Sequence, residues 1–306
     1  MAPKSKDRSG ASVALSSRKL KQLYATMLQC RMIEDKARLL LPGREFAKDQ
    51  FIGHGLEAAE VGAAFGLRRK DCIAPWGRKF IFAFLKRQPL TSAFQRLFAL
   101  ADSPNEMSAT KAARTAVATG VGLACRKQSG SIVTVAFATE APETSEFLYD
   151  MIAFSSSHKL PIVFVTHDRL AAERNGKQWR RLPSASSLEL PRISVEVNDV
   201  VAIYRVAQEA IRRAREGHGP ALIECMGLQE KRPAKSVKKR SPEGIESWRN
   251  KDPLIFMENY LKQRKLWSDG WKSKIADRFS HELDEAVAAA ESQRSESPAD
   301  AARVRA

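Results

Sequence analysis

Residues 195–224 read VEVNDVVAIYRVAQEAIRRAREGHGPALIE, and this stretch decides the fold. A short extended segment leads to Asn198-Asp199, a pair suited to cap a helix. The apolar stripe Val200, Ile203, Tyr204, Ala207, Ile211, Ala214 follows at helical spacing. Gly217-His218-Gly219-Pro220 stops the helix. Ala221-Leu222-Ile223 then reads as a buried-type strand. Strand, helix and strand in this order predict one unit of a parallel sheet covered by helices.

The same alternation recurs upstream. SIVTVAFA at 131–138 and LPIVFVT at 160–166 are predicted buried strands, with a helix over 146–158 between them. A small-residue helix is expected over 113–126, with Gly120 and Gly122 suited to close packing. A strong helix spans 16–41; Ser16 or Ser17 caps it, and Leu20, Leu23, Tyr24, Met27, Leu28 and Met32 line one face. Pro42-Gly43 ends it. Asp71 precedes a strand at Cys72-Ile73-Ala74. Residues 100–112 and 169–192 are polar and read as loops. Asp252-Pro253 starts a helix to about Lys262, and Ser268 caps another that runs to Ala290. The expected fold class is α/β, a central mostly parallel sheet with helices on both faces. The expected organisation is a disordered basic arm over 1–15, one domain over 16–291 that includes the helices of 252–290, and a disordered tail over 292–306.

With 306 residues, 43% of them apolar and 28% charged, the chain can bury a sizeable core. Its apolar runs fall short of a membrane span, and MAPKSKDRSGASVALSS lacks an apolar signal core, so a cytoplasmic location is expected. Cys30, Cys72, Cys125 and Cys225 are scattered and read as reduced structural thiols. A net charge of +16 and a pI near 9.9 favour anionic partners. Aromatic residues do not interleave with the basic ones, so nucleic-acid binding has no motif behind it. Lys231–Arg240 (KRPAKSVKKR) reads either as a cationic linker or as a docking patch for an acidic partner or a phosphate.

The stretch 195–224, the opening helix LYATMLQCRMIEDKARLL, the segment 51–90 with Gly53, Gly55, Glu57, Ala58 and Val61, and the C-terminal helices together carry a resemblance. The chain resembles the alpha subunit of the E1 component of 2-oxo acid dehydrogenases of the pyruvate and branched-chain type. These are oxidoreductases that act on an oxo group with a disulfide as acceptor. The resemblance covers roughly residues 16–291 and implies a thiamine-diphosphate-binding fold, with thiamine diphosphate and magnesium as cofactors. It further implies a homo-oligomer, or a hetero-oligomer with a beta-type subunit, and no membrane association.

The same resemblance shows a degenerate cofactor motif. The family's Gly-Asp-Gly signature falls on Thr139-Glu140-Ala141, so Glu140 takes the aspartate position and would be the metal ligand if magnesium is retained. The asparagine within the signature corresponds to Thr144. The second of the paired asparagines, a metal ligand, corresponds to Arg169, and a guanidinium has donors only. The Tyr-Arg pair facing the diphosphate falls on Trp76-Gly77, with Arg78 one residue on. The small apolar residue facing the aminopyrimidine maps to Lys111, and the Arg-x-His-Gly-His-Ser loop maps to residues 229–234, Gln-Glu-Lys-Arg-Pro-Ala, without either histidine.

Trp76, Arg78, Lys111, Glu140 and Arg169 are therefore the candidate cofactor positions, and no catalytic residue is expected. Glu140 and Arg169 are expected to pair where a metal would neutralise charge. Alternatively, Arg78, Lys111 and Arg169 hold an anion without metal. His54 reads as a loop residue, His158 and His281 as surface groups, His167 as a neighbour of the altered metal position without an assigned catalytic role, and Ser155-Ser156-Ser157 as a polar helix end. The functional readings are a weakly active or noncatalytic E1-alpha-type subunit, a scaffold or regulator of an E1-like assembly, and an anion or nucleic-acid binder.

Overall fold

The computed structural model describes residues 15–40, 55–74, 79–102, 111–128, 131–140, 145–168, 190–226 and 252–295. In chain order the elements are α1 (Ser17–Leu40), α2 (Glu57–Ala64), β1 (Cys72–Ala74), α3 (Lys79–Leu85), α4 (Leu90–Asp102) and α5 (Lys111–Lys127). There follow β2 (Thr134–Glu140), α6 (Ser145–Ser157), β3 (Ile162–Asp168), β4 (Arg192–Glu196), α7 (Val200–Arg215), β5 (Ala221–Met226), α8 (Pro253–Gln263) and α9 (Asp269–Ser295). The strands form a five-stranded sheet in the order β1-β2-β3-β5-β4, and each neighbouring pair is parallel.

Alternation along the strands divides the core in two. Val133, Val135, Phe137, Val163, Val165, Ile223 and Cys225 face one side, where they join α1, α2, α7 and the C-terminal helices. Ala136, Ala138, Ile162, Phe164 and Leu222 face the other, against α5 and α6. Chain direction explains this division. The steps β1 to β2 to β3 run one way across the sheet and return through α5 and α6, whereas the step β4 to β5 runs back and carries α7; α3 and α4, earlier in the β1-to-β2 connection, pack on the α7 side. Crossovers of one hand then put the two sets of helices on opposite faces.

The decisive stretch folds as its sequence dictates. Asp199 caps α7 by accepting from the amides of Val201 and Ala202 at 3.0 and 2.9 Å. Every residue of the apolar stripe is buried. Gly62 lets α2 approach α7, because a Cβ there would sit 2.7 Å from Ile203 Cγ2. Gly122 does the same for α5 against β3, where a Cβ would lie 2.2 Å from Ile162 Cδ1. Gly120 faces open space, so close packing rests on Gly122 alone of the two.

Several boundaries differ from the sequence reading. Residues 100–102 close α4 and residues 111–112 open α5, so neither piece is loop. The described β2 and β3 extend through Glu140 and Asp168, because each is held in the ladder by its parallel neighbour. Helix α9 runs to Ser295, past the boundary placed at residue 291. Helices α3 and α4 bring Phe82 onto Phe137 (ring centroids 4.7 Å apart) and Phe84 onto Phe279 (5.6 Å). Ile81, Phe82 and Ala83 are buried in the core, with Phe84 and Leu85 packed against it.

Three polar nodes lock the elements. Arg31 of α1 donates to Glu57 at 2.8 Å and to Asp252 at 2.6 Å, both carboxylates being almost fully buried. Asp252 also caps α8 through the amide of Leu254 at 2.8 Å. The buried Tyr24 hydroxyl donates to Glu258 at 2.7 Å, and Lys272 donates to the same oxygen at 2.7 Å. The Tyr24 ring meets Trp267 edge-on at 4.9 Å. At the start of the sheet, Asp71 accepts both guanidinium nitrogens of Arg215 at 2.9 Å. It also accepts the amides of Arg68 and Val133 at 2.7 and 3.1 Å.

Two outcomes follow. Arg31→Leu leaves two buried carboxylates uncompensated, so urea denaturation of the variant should show a loss of roughly 3–5 kcal/mol. For Asp71, burial alone would raise the pKa, but Arg215 and the two amides outweigh it and hold the carboxyl below its ordinary 3.8. A depressed folded pKa gives stability that is complete above the unfolded value and lost as pH falls through the folded one. Asp71→Asn should therefore cost more at pH near neutrality than in acid below that value, read from urea midpoints at both pH values.

Candidate functional site

All strands point the same way, so their carboxyl ends share one edge. Ala74 ends β1, Glu140 ends β2, Asp168 ends β3 and Met226 ends β5. Ligands in open α/β sheets sit at this edge, where the direction of strand addition reverses. Here the reversal lies between β3 and β5. The amino ends of α5 and α6 lie at this edge too, since each helix leads back to the start of the next strand.

The register brings Glu140 beside Asp168 as Cα partners. The resemblance places the family's paired asparagines on Asp168-Arg169, and the sequence reading took Arg169 as the candidate; the neighbour relation of Asp168 to Glu140 comes from the register. Arg169 lies one residue beyond the described end of β3. Lys111 is the first residue of α5, with no acidic residue in that first turn. Trp76, Arg78, Thr144, residues 229–234 and Lys231–Arg240 lie outside the described residues, as do Pro42-Gly43 and His54.

Deeper along the same edge, Thr166 partners Glu224, and both are buried. Arg192 of β4 donates to the Glu224 carboxylate through two nitrogens, each at 2.6 Å, and Ser194 Oγ adds a third bond at 3.2 Å. That carboxylate is thus committed to joining β4 to β5. Glu57, near the same end, is likewise committed: besides Arg31 it accepts the Gly55 amide at 2.8 Å. Gly55 has φ of 111°, a conformation that favours glycine.

Other nucleophile and ligand candidates resolve as structural groups. All four cysteines are free. Burial pushes the Cys225 thiol up to about 12, and burial followed by the neighbouring Cys125 raises Cys72, so neither offers a thiolate at neutral pH. His158 caps the end of α6 with Nδ1 2.9 Å from the Phe154 carbonyl, and His281 is exposed on α9. Ser155 donates to the Met151 carbonyl at 2.7 Å within α6. Among the described residues, no group of three or more His, Cys, Asp or Glu side chains is arranged to hold a metal. Among them also, no helix is long and apolar enough to cross a membrane.

The family model for the dehydrogenase E1 component matches residues 25–299. The chain is 26% identical over 314 residues to the 2-oxoisovalerate dehydrogenase subunit alpha of Bacillus subtilis, covering 92% of this chain and 93% of that protein. It is 24% identical over 250 residues to the pyruvate dehydrogenase E1 component subunit alpha of Staphylococcus aureus, covering 76% of this chain and 68% of the relative. The corresponding Staphylococcus epidermidis subunit is 25% identical over 255 residues, with the same coverage.

Proposed function

We propose that this chain, which belongs to the dehydrogenase E1 component family, is an alpha-type subunit of a 2-oxo acid dehydrogenase assembly whose own metal and diphosphate half-site is altered. It is then weakly active or noncatalytic and contributes chiefly through its fold and its partner, a beta-type subunit. The carrying observation is the carboxyl edge: Glu140 and Asp168 stand side by side, and the next residue in the chain is an arginine.

Magnesium asks for near-octahedral oxygen ligation. Glu140 and Asp168 offer oxygens, but Arg169 offers only N–H donors and a positive charge. A guanidinium paired with these carboxylates would supply one of the two positive charges that a divalent ion brings. The donor set thus suits an internal ion pair better than a metal, and no reaction step is assigned through magnesium or thiamine diphosphate. The sequence at 229–234 offers Glu230, Lys231 and Arg232 but no imidazole, so the two histidines that the family carries in this loop have no counterpart here.

Thermal-shift titration tests the reading, because a ligand that binds only the native state must stabilise it, by about 2.7 kcal/mol at a hundredfold excess over Kd. Thiamine diphosphate with magnesium should leave the melting temperature of the chain unchanged. Glu140→Asp combined with Arg169→Asn should introduce a magnesium-dependent rise. A saturable, magnesium-dependent rise in the unaltered chain, with turnover of a 2-oxo acid once a beta-type partner is added, would overturn the proposal. A rise with thiamine diphosphate that ignores magnesium would instead favour direct capture of the diphosphate by Arg78, Lys111 and Arg169.

The proposed ion pair has its own measurement. A double-mutant cycle of Glu140→Gln and Arg169→Gln should give a coupling energy of roughly 1 kcal/mol or more, and additive effects would remove the pair.

A further inference from the structure

We propose that the opposite, amino edge of the sheet is a docking face for an acidic segment of a partner polypeptide. This face is independent of the reading of the carboxyl edge. Exposed cations gather there from loops and helix ends far apart in sequence. Arg68, Arg69 and Lys70 precede β1, and all three are exposed. Arg126 and Lys127 end α5 just before β2, exposed as well. Lys159 precedes β3, and Arg213 lies in the last turn of α7 before β5. Gly219 brings Lys159 next to the start of β5, where a Cβ would lie 3.4 Å from the Lys159 Cα.

The described carboxylates at this edge are already engaged. Asp71 is held by Arg215, while Glu209 and Glu216 both pair with Arg212, at 2.6 Å each. Two arginines thus engage these three carboxylates, leaving one negative charge against the seven exposed cations Arg68, Arg69, Lys70, Arg126, Lys127, Lys159 and Arg213. Lys86 is used internally, donating to the carbonyls of Arg68 and Arg69 at 2.9 and 2.8 Å and to that of Asp71. It fixes the loop that presents Arg68–Lys70.

The helix macrodipole accounts for cations in a last turn. It does not reach Arg68–Lys70, which follow the end of α2 after an intervening turn.

The occupant follows from the shape and chemistry of the face. The cations lie along the starts of β1, β2, β3 and β5, a strip whose neighbouring strands are about 4.8 Å apart. An extended chain can run along such a strip. Single-stranded nucleic acid needs aromatic stacking platforms. Among the described residues, the exposed aromatic near this edge is Phe154, whose ring is stacked on His158 at 4.1 Å. Arginine forks match carboxylates directly, as Arg212 and Arg215 show within this structure.

Fluorescence anisotropy of the full chain with a labelled poly-glutamate peptide tests the proposal. The peptide should bind in low salt and weaken as salt rises. Replacing Arg68, Arg69 and Lys70 together by glutamate should weaken binding about tenfold. Replacing the exposed Arg264, Lys265 and Lys274 of the α8–α9 corner should change it by less than about twofold. The pair Arg126→Glu and Lys127→Glu, on another strand start, should also weaken binding. That pair carries the test if the first variant melts early. Equal loss in the corner variant, no binding in low salt, or tighter binding of a labelled DNA duplex that the Arg68–Lys70 variant abolishes would each overturn it.

Discussion

The Arg31 guanidinium holds the helical side of the molecule in register. It reaches Glu57 and Asp252, residues that stand far from it and from each other in sequence, and so ties α1 to the start of α2 and the start of α8. Apolar packing between helices tolerates sliding; charge-assisted bonds at 2.6 and 2.8 Å do not. Replacing such a node by apolar groups of similar volume can be neutral, whereas breaking one partner is costly. Its contribution is therefore positional. It also decides what Glu57 can do: a carboxylate shared between Arg31 and the Gly55 amide is part of the frame and not a free base.

A sheet of parallel strands has two chemically different ends, and this chain treats them differently. At the amino end, Asp71, Arg215 and Lys86 weld the strand starts to α7 and to the loop after α2. At the carboxyl end, the described carboxylates split into two groups. Glu224 is bound to Arg192 and Ser194. Glu140 and Asp168 stand at the last rung of the β2–β3 ladder. Structural ionic groups thus lie along the strands and at their starts, and the last rung is where residue identity can change with little consequence for the core.

Local signals carried most of the fold into the sequence. Asp199, the stripe to Ala214 and the glycine stop fix the unit 195–224 because each is a short-range effect. The alternation of Val135, Ala136, Phe137 and Ala138 faces two cores, so those strands read as continuous apolar runs. Helix α3 was not legible, because Ile81-Phe82-Ala83-Phe84-Leu85 is apolar all round and has no period to detect. The last rungs of β2 and β3 were missed for another reason: Thr139, Glu140, His167 and Asp168 are polar, and it is pairing with a neighbour that keeps them extended. The partners of Arg31, Tyr24 and Arg215 could not be read at all, since nothing local links residues so far apart. At the candidate site, residue types were legible by resemblance, but the neighbour relation of Glu140 and Asp168 needed the register.

A family's architecture can outlast its chemistry only if the two draw on different residues, and in this chain the core and the last rung of the sheet are built from different residues. The large fully buried side chains, among them Tyr24, Phe94, Phe164 and Ile152, lie in the two cores and not at the last rung. Each such burial contributes about 1.5–3 kcal/mol, and the ionic nodes at Arg31 and Arg215 sit elsewhere as well. A metal at the strand ends adds stability only by its binding energy in the folded state. Under the proposed reading, an ion pair of Glu140 with the arginine that follows Asp168 would stand in for part of that increment without a ligand from solution. A lone asparagine at 169 would then leave two neighbouring carboxylates without a counter-charge until metal arrived, so the reading requires a change at Glu140 and at Arg169 together to favour the ion.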